Sequence, residues 1–336
     1  MRQEDIVNNN GTINNQQTLI TQSGNCIPII KSYKENETLE TYYQVRDLIG
    51  SGGFANVYSG FRRRDGLPVA IKHVMKESVT TWTSLSNGQS IPAELYLLHR
   101  VQHVPGVIKL LDTFETPDSF HLVMERPENV KDLYDYITEQ GPLSENVSRN
   151  FFTQIVQIVW NIEKSGVLHR DIKDENVLVD LNTGQLRLID FGCGTLLRDT
   201  EFDDYDGTRV YSPPEWLSNS LYNGRQATVW SLGILLFDLV NGDIPFEEDH
   251  EIKAAHLHYK TDTSTSCRDL IRKCLSVDPA QRPTLEVIMS HPWMTKAAGV
   301  TETTFPAERN NQTDKMMDQS ILRDTVTTSH GPERQS

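Results

Sequence analysis

Several polar side chains in this chain fall at spacings that would let them act together on a phosphate. In "VLHRDIKDENVLVD", residues 167–180, Asp171, Lys173 and Asn176 lie in one short loop between apolar runs. A carboxylate accepts a proton from a hydroxyl, an ammonium neutralises a phosphate, and an amide oxygen ligates Mg2+. "LRLIDFGCG" follows, with Asp190 at a strand end before Phe191 and Gly192, where a second metal ligand would be needed. Upstream, "IGSGGFANVYSG" sets Gly50 and Gly52 between two strands. Glycines let a turn lie close over a ligand so that backbone N–H groups face phosphate oxygens. "VAIK" then ends a strand on Lys72, and Glu94 on the next helix supplies a carboxylate for it. Taken singly, each feature has an ordinary reading. Glycine-rich hairpins are commonly structural, a strand lysine commonly snorkels to solvent, and a lone Asp commonly caps or turns. Their conjunction in this order argues for chemistry.

Two kinds of element have to position these groups. From Tyr42 to about Met124, short β-branched and aromatic runs ("YYQVRDLIG", "ANVYSGFRR", "PVAIKHV") alternate with turns, "RRDGLP" among them, and read as a meander. One helix, "IPAELYLLHRV", interrupts it, with Pro92 suited to its first turn. From Asp132 onward helices dominate. "DLYDYITEQG" places Leu133, Tyr136 and Ile137 on one face and stops at Gly141. The next helix has Ser144 as N-cap and Gly166 as stop. "TVWSLGILLFDLVNG" is apolar nearly all round and predicts a buried central helix. The expected class is α+β: a small β-rich lobe with one main helix, joined to a larger helical lobe.

Composition excludes several alternatives. The chain has 336 residues and a formal net charge of −14, most of it between residues 41 and 294. An acidic folded core argues against nucleic acid as the main partner and fits basic peptides, or solubility alone. No apolar run approaches the roughly 20 residues that span a bilayer, so no membrane association is expected. The start, "MRQEDIVNNNGTINNQQTLI", lacks a basic segment leading into an apolar one, so secretion is not expected. Cys26, Cys193, Cys267 and Cys274 form no CxxC pair, which points to a reducing, intracellular setting; the cytoplasm is the expected location, with the nucleus left open. Residues 1–40 and 295–336, rich in Asn, Gln and Thr, read as disordered tails.

From about Tyr42 to Trp293 the chain resembles a eukaryotic protein kinase and carries that family's motif set. The motifs are the glycine-rich loop, Val69-Ala70-Ile71-Lys72, His169-Arg170-Asp171, Asp190-Phe191-Gly192 and "SPPEW". Lys173, two residues past Asp171, is similar to the serine/threonine branch. "ERPE", "HRDIKDEN", "DGTRVYSPPEW", "WSLGILLFD" and "GDIPFE" most resemble the Pim kinases. The resemblance implies a kinase domain over 41–294, with an N-lobe at 41–124, a hinge at 125–130 and a C-lobe at 131–294, acting on basic Ser/Thr-containing proteins; a monomer is the default expectation. It implies ATP and Mg2+ as cofactors. Leu48, Gly50, Ser51, Gly52, Gly53, Phe54, Val57, Ala70, Lys72, Met124, Glu125, Leu178 and Asp190 would surround the nucleotide. Lys72 would pair with Glu94, and Asn176 and Asp190 would hold the metal. Asp171 would take the hydroxyl proton, Lys173 would sit on the γ-phosphate, and Thr208 would position them. Phe191, His169, Leu98 and Leu110 would stack between the lobes, and Glu215 would pair with Arg282.

Further expectations concern affinity, specificity and control. Pro127 falls where the hinge would give adenine a second backbone donor, so ATP should keep one hinge bond, to the Glu125 carbonyl. Losing one neutral hydrogen bond costs about 0.5–1.5 kcal/mol. Asp132, Asp135, Glu175, Asp238 and Asp243 are expected to line a peptide groove that selects Arg or Lys N-terminal to the acceptor. The segment from Asp190 to Glu215 carries Glu201, Asp203, Asp204 and Asp206, one of which should meet Arg170 and order the loop without phosphate. Three departures from the family stand out: Ala55 for the third loop glycine, Thr228 where an aspartate is usual, and Cys193 beside the metal loop, most simply an inert small residue. Two competing readings remain, a catalytically dead scaffold for basic partners and a small-molecule phosphotransferase. Lys72, Asp171, Asn176 and Asp190 together weigh against the first, and "GTRVYSPPEW" against the second.

Overall fold

Period-two apolar runs become strands only where a second surface covers their inner face. In the computed structural model, which describes residues 38–52 and 55–296 and the backbone of three two-residue strands (Leu19–Ile20, Cys26–Ile27, Lys31–Ser32), the runs of the first lobe do so. β1 (Tyr43–Ser51), β2 (Ala55–Arg62), β3 (Pro68–Met75), β4 (Leu110–Glu115) and β5 (Ser119–Glu125) form an antiparallel sheet in the order β4-β5-β3-β2-β1. Lys31–Ser32 adds to its β4 edge in parallel. The β2–β3 turn closes on Asp65, which receives both Arg62 Nε and Nη2, and on Gly66 at φ +71°. Leu39, assigned above to the first tail, is buried with Tyr43 and Phe114. Apart from residues 38–40, 295–296 and the three short strands, both expected tails lie outside the described residues.

α1 (Ala93–Val101) buries Leu95, Leu97, Leu98 and Val101 beneath the sheet and begins directly after Pro92. A hairpin of Trp82–Ser84 and Ser90–Pro92, not anticipated from sequence, precedes it. The second lobe starts at α2 (Leu133–Gln140), whose N-cap Asp132 accepts from Asp135 N at 2.7 Å and whose last turn stops at Gly141, φ +72°. α3 (Glu145–Lys164) is capped by Ser144. α4 (Gly224–Asn241) buries every residue except Arg225 and Gln226, as an all-round apolar helix must. The fold is α+β, a β-sheet lobe against a helical lobe, as expected. A three-stranded sheet, β6 (Val130–Asp132), β7 (Val177–Asp180) and β8 (Leu186–Leu188), floors the cleft between them.

Candidate active site

Register puts the cleft residues in place. In β3, Lys72 stands opposite Val57 of β2 and Leu122 of β5, and Ala70 opposite Ser59 and Met124. Leu178 rises from the floor between Asp132 and Arg187. Leu48 is 54% exposed at the rim. Ser51 Oγ donates to Asn56 at 2.8 Å, and Gly52 N bonds Ala55 O at 3.0 Å, closing the base of the glycine loop. Gly53 and Phe54 lie outside the described residues.

Lys72 Nζ sits 2.6 Å from Glu94 Oε1 and 2.9 Å from Asp190 Oδ1. Burial penalises the ammonium, but the two carboxylates outweigh this and hold its pKa above the ordinary lysine value. Crowding by the cleft works against ionised Asp190, and the Lys72 charge overcomes it, holding that carboxyl below its usual range. The other half of the site is the 169–176 loop. Asp171 Oδ1 accepts from Thr208 N at 2.8 Å and Thr208 Oγ1 at 2.7 Å, while Oδ2 accepts from Asn176 Nδ2 at 2.9 Å. Lys173 Nζ lies 3.6 Å from Asp171 and 2.5 Å from Glu175. Arg170 and Asp190 both adopt positive φ, +64° and +61°, a conformation that non-glycine residues hold only where their surroundings over-determine it.

His169 packs edge-on to Phe191, ring centroids 4.8 Å apart. Its Nε2 donates to Ile189 O at 2.9 Å, and its Nδ1 accepts from Asp171 N at 3.3 Å. Those two bonds fix a neutral ring, and burial pushes its pKa down. The donor set suits a hard cation: Asp190 is ionised, and Asn176 uses its NH2 on Asp171, which turns its amide oxygen outward as an acceptor. A Cβ at Gly192 would come within 3.1 Å of Asp190 Oδ1, so glycine keeps that side of the carboxylate clear.

Arg170 Nη1 bonds Asp204 at 2.6 Å and Nη2 bonds Asp206 at 3.1 Å. Its Nε donates to Cys193 O at 2.6 Å, and Tyr222 OH receives a longer contact at 3.4 Å. Sequence reasoning asked for one loop carboxylate on Arg170; two are there, and the Tyr222 contact was missed. Cys193 Sγ donates to Asp206 O at 3.0 Å. Burial, with three nearby carboxylates, pushes its thiol up to about 12, so it stays protonated at neutral pH. Arg282 forks onto Glu215 at 2.8 and 2.6 Å.

The five acids assigned to a peptide groove separate. Glu175 and Asp243 have exposed side chains, the latter paired with Lys260 at 2.8 Å. Asp135 is exposed, and Asp132 caps α2, with burial raising its pKa. Asp238 departs from the set. It is 4% exposed inside α4, its Oδ2 has no hydrogen-bond partner among the described residues, and burial with Asp174 and Asp243 nearby pushes it up to about 8. A helix apolar on every side carries its polar residues inward too, which removes Asp238 from the solvent-facing acids. Another pairing escaped the sequence: Arg209 forks onto Asp249, tying the loop to a helix 40 residues away. No described helix is long and apolar enough to cross a membrane.

Comparison with known proteins places this geometry. The protein kinase domain family matches residues 43–294. The chain is 43% identical over 281 residues to serine/threonine-protein kinase pim-2 of Danio rerio, covering 81% of this chain and 91% of that one. It is 44% identical over 256 residues to serine/threonine-protein kinase prk-2 of Caenorhabditis elegans, 75% of this chain and 58% of the relative. NUAK family SNF1-like kinase 1 of Homo sapiens is 33% identical over 271 residues, with 40% of its length spanned.

Proposed function

The chain belongs to the protein kinase family, as a Pim-like serine/threonine kinase, and from that premise we propose that it is a Mg2+-dependent, basophilic enzyme that works without phosphorylation of its own loop. Kinases of this family act on proteins and use ATP with a divalent metal. Mg2+ bound by Asn176 and Asp190 would neutralise charge on the triphosphate and orient it. Lys72, held by Glu94, contacts the α/β-phosphates, and Lys173 meets the γ-phosphate. Asp171 takes the proton of the attacking hydroxyl, and Thr208 keeps one of its oxygens fixed. Little covalent work is left to the protein; position and charge supply the rate.

The observation that carries independence from phosphate is the pair of carboxylates, Asp204 and Asp206, on Arg170. They occupy the guanidinium that a loop phosphate would otherwise hold. Basophily rests on the exposed acids Asp135, Glu175 and Asp243 near the cleft, with Asp132 beside them. At the hinge, Pro127 leaves ATP one bond, to Glu125. The kinase domain is assigned to 41–294, acting as a monomer in the cytoplasm and nucleus, with no nucleic-acid or membrane partner. A positional-scanning peptide library tests the specificity. Selection for Arg or Lys N-terminal to Ser/Thr, weakening as salt rises, is expected; indifference to basic residues overturns it.

A further inference from the structure

Glu125 has a second role. Its backbone N–H donates to Lys109 O at 2.9 Å, and its carboxylate Oε1 accepts from Lys109 N at 3.0 Å. The two bonds close a ring between the hinge and residue 109, just before β4. On its far side the same segment joins the floor of the cleft: Ile108 N bonds Leu188 O at 3.1 Å, and Leu188 N bonds Gly106 O at 2.7 Å. Gly106 has φ +85°, and a Cβ there would strike Ile158 at 2.5 Å, so the segment has one seat. Ile189 N then bonds Asn176 O at 2.9 Å, and the next residue is Asp190. Arg187 Nε lies 3.9 Å from the Glu125 carboxylate, and Lys109 Nζ is held by Gln102 O and Val104 O at 2.6 and 3.1 Å.

We propose that the Glu125 carboxylate is a positioning residue for nucleotide binding. It satisfies the Lys109 N–H and so locks the hinge to the 106–109 segment, and through β8 to Asn176 and Asp190. This rests on the kinase function proposed above. A backbone N–H left without a partner costs free energy and loosens the turn that carries it. With one adenine bond already absent at Pro127, the remaining hinge contact depends on that turn.

The test measures ATP KM and kcat for the parent protein, Glu125→Ala and Glu125→Gln, with thermal melting of each without nucleotide. Glutamine keeps an acceptor oxygen at the same reach and removes the charge facing Arg187. The expected result is an ATP KM raised about fivefold to tenfold in Glu125→Ala with kcat within about twofold, and recovery to within about twofold of the parent in Glu125→Gln. An unchanged KM in Glu125→Ala overturns the inference, as does a loss confined to kcat and melting temperature, which marks a purely structural role. Equal impairment of both variants overturns it too, because the acceptor would not be the agent. A parent protein that transfers no phosphate would refute the proposed function itself, and that outcome is visible before any variant is compared.

Discussion

Asp190 and Asp238 are carboxylates of the same lobe in opposite charge states, and exposure together with a neighbouring cation separates them. Asp190 stands at the open cleft with the Lys72 ammonium 2.9 Å away and is held ionised. Asp238 is sealed in α4 among Asp174, itself buried and bonded by Tyr211 OH at 3.1 Å, and Asp243, with no cation beside it among the described residues. It therefore keeps its proton to about 8. Burial alone determines neither state; an isolated buried charge neutralises itself, and a paired one does not. The site needs a charged carboxylate for a metal, and the ion pair supplies it.

Removing a cation from a paired carboxylate should therefore push it toward the Asp238 state. The largest effect is expected at Arg282, whose side chain is fully buried against Glu215. Arg282→Ala should leave the Glu215 carboxylate buried without its partner and cost about 3–5 kcal/mol of stability in urea unfolding; a loss under about 1 kcal/mol would break the parallel. Next is Lys72→Met, which should lower kcat/KM about 10^2- to 10^3-fold while the protein stays folded, with Glu94 and Asp190 facing each other unneutralised. Activity within tenfold of the parent would show that Asp190 does not depend on that ammonium.

Asp238→Asn is a smaller change with a defined sign. The folded pKa of Asp238 lies above the unfolded value near 3.9, so the folded chain holds a proton that the unfolded chain has released. Its contribution is intact below about pH 4 and is lost as pH rises toward 8. The variant should therefore gain thermal stability over the parent, by a few degrees more at pH 7.5 than at pH 5; a pH-independent difference would mean that Asp238 is ionised when folded. The smallest effect is expected for Pro127→Ala, which returns one donor to the hinge. It should lower the ATP KM up to about tenfold or leave it flat; a marked rise would remove Pro127 as the cause of a missing bond.

Much of the site was legible because its residues lie in short runs with fixed local meaning. Lys72 reads off a strand register, Asp171 to Asn176 off one loop, and Ser144 and Gly141 off capping chemistry. Partners far apart in sequence with no periodicity between them were not legible. Lys109 and Glu125, Arg209 and Asp249, and Cys193 and Asp206 meet only through the fold. Asp238 was misplaced for a related reason: its neighbours in "DLVNGDIPFEEDHE" suggest an acidic surface, but helical rotation turns it inward while Asp243, past the Gly242 cap, stays out. The hairpin at 82–92 was hidden because its strands are three residues each, too short for an alternating pattern to register.

The central claim is that Lys72, Asp171, Asn176 and Asp190 grip a metal-bound triphosphate in a cleft already ordered by Asp204 and Asp206 on Arg170. The most direct measurement tracks transfer of the γ-phosphate from Mg2+-ATP to an arginine-rich Ser/Thr peptide, using protein verified by mass spectrometry to carry no phosphate, alongside Asp190→Ala. Steady turnover from the first minutes is expected of the unmodified protein, and none above background from the variant. Turnover that begins only after an upstream kinase has acted, or that survives in Asp190→Ala, would contradict the claim.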